Sequence, residues 1–243
     1  MNSSTYIRYE VLRTFRNRRF LLFSVGFPLI LYVIIASTNR HAKVDSIDFP
    51  LYFMAGMASW GAMLATLSSG SRIALERQVG WTRQIRITPL KVSVYFAAKV
   101  VCGYLMALVT MVVLYVAGAA LGVRLGAGNW LVMVGLLLVG LIPFVLLGIM
   151  AGHLLTPESL GPAVGGLGAL FAIFGGAWGP IATGGVFLDV VKLIPSYWLV
   201  QSGKIAYAGG GWPGQAWVVV AVWSVVVARL AIIAYRRDTA RIA

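Results

Sequence analysis

Long apolar runs alternate with short polar breaks along this chain, and the runs set its architecture. Six of them, at about 20–37, 51–70, 94–121, 130–155, 162–181 and 216–235, approach or exceed the ~20 residues that cross a hydrocarbon core as a helix. Inside a bilayer the backbone must satisfy its own hydrogen bonds, which runs of this length do as α-helices. The regular alternation of barrel strands is missing. The pattern predicts an all-α integral membrane protein, a single domain over residues 1–243 with six transmembrane helices. Ahead of the first run, Ile7, Val11 and Phe15 recur every fourth residue with Leu12 beside them, while Glu10, Arg13 and Asn17 gather opposite. That spacing predicts an amphipathic helix lying on the membrane surface and leading into an uncleaved first span rather than a removed leader. Residues 186–198 are apolar but broken by Asp189, Lys192 and Pro195. They are too short and too charged to span, and read as a short re-entrant-like helix on the outer side before the last span.

Charge gives the direction. Of the 243 residues 60% are hydrophobic and only 11% charged, against about 25% charged in soluble domains, which excludes a soluble protein. The net charge of +13 does not mark a nucleic-acid partner, because the basic residues flank the spans. Fifteen of the 20 lie in the first nineteen residues, in 72–99 and at the C-terminal end; Arg40, Lys43, Arg124, Lys192 and Lys204 fall on the other side. Such a bias places both termini and the 71–93 loop in the cytoplasm. Trp130, Trp178, Trp198, Trp212 and Trp217 then fall near the opposite face, as an aromatic belt would.

Reactive chemistry is sparse. Cys102 is alone, and His41 and His153 stand far apart without metal-ligand spacing. There is no His-Glu-x-x-His or Gly-x-Ser-x-Gly motif, and no lysine is followed by Ser or Thr, which excludes a Walker A phosphate loop. The chain is therefore expected to be no enzyme and to hold no cofactor or metal. Lys99 and Arg229 are the ionisable residues nearest a span interior, each close enough to the cytoplasmic end to snorkel outward as an anchor. An ion-driven carrier would have to use Lys99 or His153. A membrane enzyme acting on lipid would have to use His153 with Glu158. Glycine crowds residues 159–185, and GxxxG spacings occur at Gly118/Gly122, Gly148/Gly152 and Gly175/Gly179. These serve either tight packing within one bundle or a dimer seam.

One polar passage stands out, ERQVGWTRQIRITPLK at 76–91. A helix over 72–87 fits, stopped by Thr88 before Pro89. Its charges surround Val79, Trp81, Ile85 and Ile87, and Gly80 allows a tight bend or a close partner. Both a solvated topogenic loop and a docking handle fit these residues. Glu76-Arg77-x-x-Gly80, then Thr88-Pro89-Leu90 and a span with Lys99 near its start, resembles the first cytoplasmic loop of type-2 ATP-binding-cassette exporter permeases. Gln78 stands where that family usually has a second acid, and Lys91 follows the leucine. Phe174-Gly175-Gly176 with Pro180, and Ile194-Pro195, are similar to the family's small-residue and proline signatures around the outer helix and gate. The resemblance implies a permease in the inner (plasma) membrane that pairs with a second permease, identical or paralogous. A dimer of cytoplasmic ATPases, carrying the ATP and Mg, would dock on Glu76, Arg77, Gly80, Trp81, Arg83, Thr88 and Pro89. Gly175 and Gly179 would be candidates for the seam. The cargo expected for such a layout is a hydrophobic or amphipathic drug, antibiotic or lipid-like molecule, with polysaccharide or lipid-linked glycan export as the alternative.

Overall fold

The computed structural model describes residues 3–44, 46–88, 90–181 and 184–240. Helix α1 (Ser3–Phe15) precedes an unbroken helical run of α2 (Arg18–Leu21), a π-helical turn (Leu22–Gly26) and α3 (Phe27–Thr38). A two-stranded antiparallel hairpin, β1 (Lys43–Val44) and β2 (Ile47–Asp48), leads into α4 (Phe49–Ser71). Two short helices follow, α5 (Ile73–Gln78) and α6 (Trp81–Arg86). Then come α7 (Val92–Ala120), α8 (Ala127–Gly140), α9 (Ile142–Leu154) and α10 (Pro157–Gly175). The chain closes with α11 (Val186–Val191), α12 (Pro195–Tyr207) and α13 (Gly214–Ala240). Five stretches are long and apolar enough to cross a membrane: Phe49–Gln78, Val92–Ala120, Ala127–Leu154, Pro157–Gly175 and Gly214–Asp238. The first apolar run becomes the shorter helix Leu22–Thr38, prolonged by α2. The protein is thus an all-α, multi-pass membrane protein.

Helix α4 is the hub, packed against α3, α7, α9, α10 and α12. Nearly all its residues are buried, although it is the least hydropathic of the five crossing stretches. A central helix contacts protein on every side rather than lipid. Small residues there allow close approach where no hydrophobic effect drives helices together. Gly70 of α4 packs on the Gly148–Ile149 backbone of α9, and Gly118 of α7 packs on Met54 of α4. Gly148 and Gly152 are therefore spent on packing inside this bundle.

Two boundaries differ from the sequence pattern. Helix α10 starts early, where Thr156 and Ser159 form a capping box, and ends at Gly176, which is left-handed at φ 73°. The glycine stops the helix although the apolar run continues to 181. The outer element is two helices rather than one, broken at 192–194 before Pro195, which opens α12 as proline does at a first helical position. Helix α12 runs nine residues past Trp198 because it packs on α4, α8 and α10; the Ser59 hydroxyl of α4 donates to the Leu199 carbonyl at 3.1 Å.

Helix α1 turns its polar stripe toward the protein. Its buried residues are Tyr6, Glu10 and Thr14, while Tyr9, Leu12 and Phe15 are exposed. A surface helix in a membrane protein offers its apolar residues to lipid, so the polar stripe turns toward α7.

Candidate functional site

The 71–93 segment is the natural place to look for chemistry, and its backbone is shaped by one glycine. Helix α5 continues the line of α4 past Arg72. Gly80 then adopts φ 72°, ψ 9°, and α6 begins. An L side chain is strained in that left-handed conformation, although a Cβ there would meet nothing within 4 Å. The expected single helix over 72–87 is therefore two half-helices. The Thr88 hydroxyl donates to the Ile85 carbonyl at 2.7 Å and closes α6. Pro89 and the side chain of Arg83 lie outside the described residues. Val79, before the bend, is 72% exposed and Ile87, after α6, is 88% exposed; Gln78 and Gln84 are exposed as well. Trp81 is half-buried against a cluster that includes Tyr6, Ile73, Leu90 and Tyr95.

Glu76, expected on the cytoplasmic docking surface, faces inward and is 1% exposed. Its Oε1 accepts from Lys99 Nζ at 2.5 Å and from Arg13 Nη1 at 3.1 Å, and its Oε2 accepts from the Tyr95 hydroxyl at 2.7 Å. The same Lys99 ammonium donates to Glu10 Oε1 at 2.5 Å. Arg72 donates to the Thr14 hydroxyl at 3.0 Å. Lys99, expected to snorkel outward, is itself 1% exposed. One lysine thus ties α1, α5 and α7 together through two carboxylates. Each is a charge-assisted bond, roughly twice as strong as a neutral one, made where few waters can compete. At Glu10, burial pushes the carboxyl pKa up. The Lys99 ammonium, helped by Arg13 and Arg72, outweighs this and holds it below the ordinary value.

Arg77 forms a second tie. Its Nη2 lies 2.6 Å from Asp238 Oδ1, and its Nη1 donates to the carbonyls of Gly152 at 3.2 Å and His153 at 2.9 Å. Asp238 also sits 3.0 Å from His153 Nδ1. The 71–93 segment is therefore clamped to the ends of α9 and α13, which places α1, α5 and α13's last turns at one end of the bundle. Removing the aspartate carboxylate leaves Arg77 without its ion-pair partner. Asp238→Ala is expected to lower stability by about 1–2 kcal/mol, less than a fully buried pair because the guanidinium is partly solvated. The unfolding midpoint of the purified protein in detergent measures it.

Other sequence candidates separate. His153 is bound to Asp238, while Glu158 is exposed in the first turn of α10, so the structure does not bring them together as an acid–base pair. Gly175 packs within the chain on the Ser196 carbonyl of α12, whereas Gly179 faces open space. Phe174 is half-buried at the end of α10, Pro180 is exposed, and Pro195 is buried at the start of α12. Sequence reading missed Glu10 and Asp238 as partners. A polar stripe on a lipid-surface helix and a lone acid ending an apolar span were the signals available.

Residues 3–206 match the model of the family described as ABC-2 type transporter. The chain is also 27% identical over 210 residues to the "Putative transport permease YvfS" of Bacillus subtilis (strain 168), an alignment covering 84% of each protein.

Proposed function

The chain belongs to the ABC-2 type transporter family and is a transmembrane permease of an ABC transporter; from that premise we propose that it is the membrane subunit of an exporter driven by a separate ATPase. The ATPase seats on the exposed residues Val79, Ile87 and Thr88 at the two ends of α6, the tip of the 71–93 segment, with Gly80, Arg83 and Pro89 in the same stretch. Glu76 and Arg77 work behind it, passing movement inward. The observation that carries this reading is the double clamp. A segment with an exposed apolar tip is fixed at its base by Lys99 to α1 and α7, and by Asp238 to α13. A topogenic loop needs charge but no such anchoring. A rigid lever between an ATPase and the spans requires it, because coupling works through elements with discrete arrangements. The cargo is hydrophobic or amphipathic, in keeping with spans that carry few ionisable groups.

The test is at the tip. Val79→Asp with Ile87→Asp is expected to remove the ABC ATPase that co-purifies with the wild-type chain, with a loss of at least tenfold. Membrane insertion and unfolding midpoint are expected to stay unchanged, since neither side chain is packed. Unchanged capture of the ATPase overturns the docking assignment. Transport driven by a proton gradient in vesicles without nucleotide overturns the whole reading.

A further inference from the structure

A cavity of about 530 Å³ opens between the first span, α4 and the start of α10. Its volume falls in the range of sites for drug-sized ligands. The two ends of its wall differ. Phe20, Phe23, Phe27, Trp60 and Leu64 make one part apolar, and Arg72 closes the other, where α4 passes into α5. The π-helical turn lies in this wall, and such turns are frequent at functional sites. Ser24 in that turn donates to the Phe20 carbonyl at 2.5 Å and accepts from Thr110 through its own carbonyl at 3.3 Å, so the turn is held by α7 rather than loose. Trp60 is buried, and its indole N–H has no acceptor among the described residues.

The charge balance selects the ligand. Arg13, Arg72 and Lys99 face two carboxylates, Glu10 and Glu76. Lys99 and Arg13 make the direct ion pairs with both carboxylates, and Arg72 acts on Glu10 through space without touching it. Among the described residues Arg72 makes one hydrogen bond, to a hydroxyl, and no ion pair; it also stands over the Phe20 ring at 5.9 Å. A half-buried guanidinium retains donors for an anion, and here they sit at the rim of an apolar cavity. We propose that this cavity binds a single-tailed or drug-sized amphiphile with an acidic head, the head pairing with Arg72 and the tail lying among Phe20, Phe23 and Trp60. This assignment rests on the exporter reading for its role as cargo recognition, but binding itself needs no ATPase.

Trp60 supplies the readout, because bromine quenches indole fluorescence on contact. The permease alone is placed in nanodiscs of zwitterionic phosphatidylcholine and titrated with a bromine-tipped dodecyl sulfonate or its trimethylammonium counterpart. The component of quenching that Trp60→Phe abolishes is measured. It is expected to reach half-maximum at a sulfonate concentration at least tenfold below that of the ammonium probe. Arg72→Gln is expected to remove the preference and Arg72→Lys to keep part of it. Leu64→Trp, which fills the cavity without touching the charge cluster, is expected to weaken both probes. Equal quenching by the two probes, or an unchanged preference in Arg72→Gln, overturns the site. Quenching by brominated phosphatidylglycerol but not by the free sulfonate overturns the single-tailed ligand in favour of a bilayer lipid. A permease that binds the sulfonate but captures no ATPase overturns the exporter reading and leaves the site standing.

Discussion

Replacing Lys99 with methionine is expected to destabilise the folded protein by about 3–5 kcal/mol, the scale for breaking a buried ion pair from one side. Methionine fills much of the lysine volume, so the loss comes from charge rather than from a void. Glu10 and Glu76 would remain, both buried, without the cation they share. Arg13 still reaches Glu76 at 3.1 Å and lies 3.7 Å from Glu10, but its side chain is half-exposed and compensates only in part. The unfolding midpoint in detergent and the recovery of monodisperse protein measure the effect. Adding Glu10→Gln to Lys99→Met is expected to restore a good part of it, a non-additivity that neighbours in one network show and independent sites do not. The pH dependence has a definite sign. In the wild type Glu10 titrates below its ordinary value of 4.5, because Lys99, Arg13 and Arg72 outweigh its burial. Its contribution is therefore complete above that value and is lost as pH falls through the lowered one. Without Lys99 burial dominates and raises the carboxyl instead. Acidification then relieves the variant while it weakens the wild type, and the gap between them narrows as pH falls. A variant within 0.5 kcal/mol of wild type, with the same pH profile, would remove the cluster from the list of structural supports.

The spans could be read from the chain because a bilayer imposes a length and an apolar composition on every crossing. Helix ends were harder, since apolarity does not report where a backbone turns left-handed. Gly176 ends α10 inside an apolar run, and Gly80 divides a segment whose polar pattern is continuous. The family was also legible, from Glu76-Arg77-x-x-Gly80 and Thr88-Pro89-Leu90. The direction each side chain faces was not. Glu76 meets Lys99 across 23 residues of sequence and Glu10 meets it across 89, and no local periodicity encodes such pairings. On α1 the membrane-surface reading leaves the polar stripe to water, whereas Glu10 packs inward against protein.

Gly148→Ala is expected to be severe for so small a change, with a cost of about 3 kcal/mol or more, at or beyond the upper end of ordinary overpacking. A Cβ at this position of α9 would lie 2.3 Å from the Leu67 carbonyl oxygen and 3.0 Å from two further Leu67 backbone atoms on α4. No rotamer change moves a backbone carbonyl aside, so the helices themselves must separate. Gly70 holds the same crossing from the other side, its own Cβ position 2.4 Å from the Ile149 nitrogen, so α4 and α9 cannot slide to a new register without a second clash. Gly135→Ala on the exposed face of α8 is the control. It meets nothing within 4 Å and is expected to be neutral or to gain up to about 1 kcal/mol from helix propensity. Unfolding midpoints of the two variants should therefore move in opposite directions, and parallel shifts would show that the crossing yields more easily than its geometry implies. The consequence reaches the 71–93 segment, because the α9 carbonyls of Gly152 and His153 receive Arg77. Pushing α9 away from α4 displaces the acceptors that seat α5. The alanine variant that still folds is thus expected to bind the ATPase through its intact tip yet stimulate hydrolysis less.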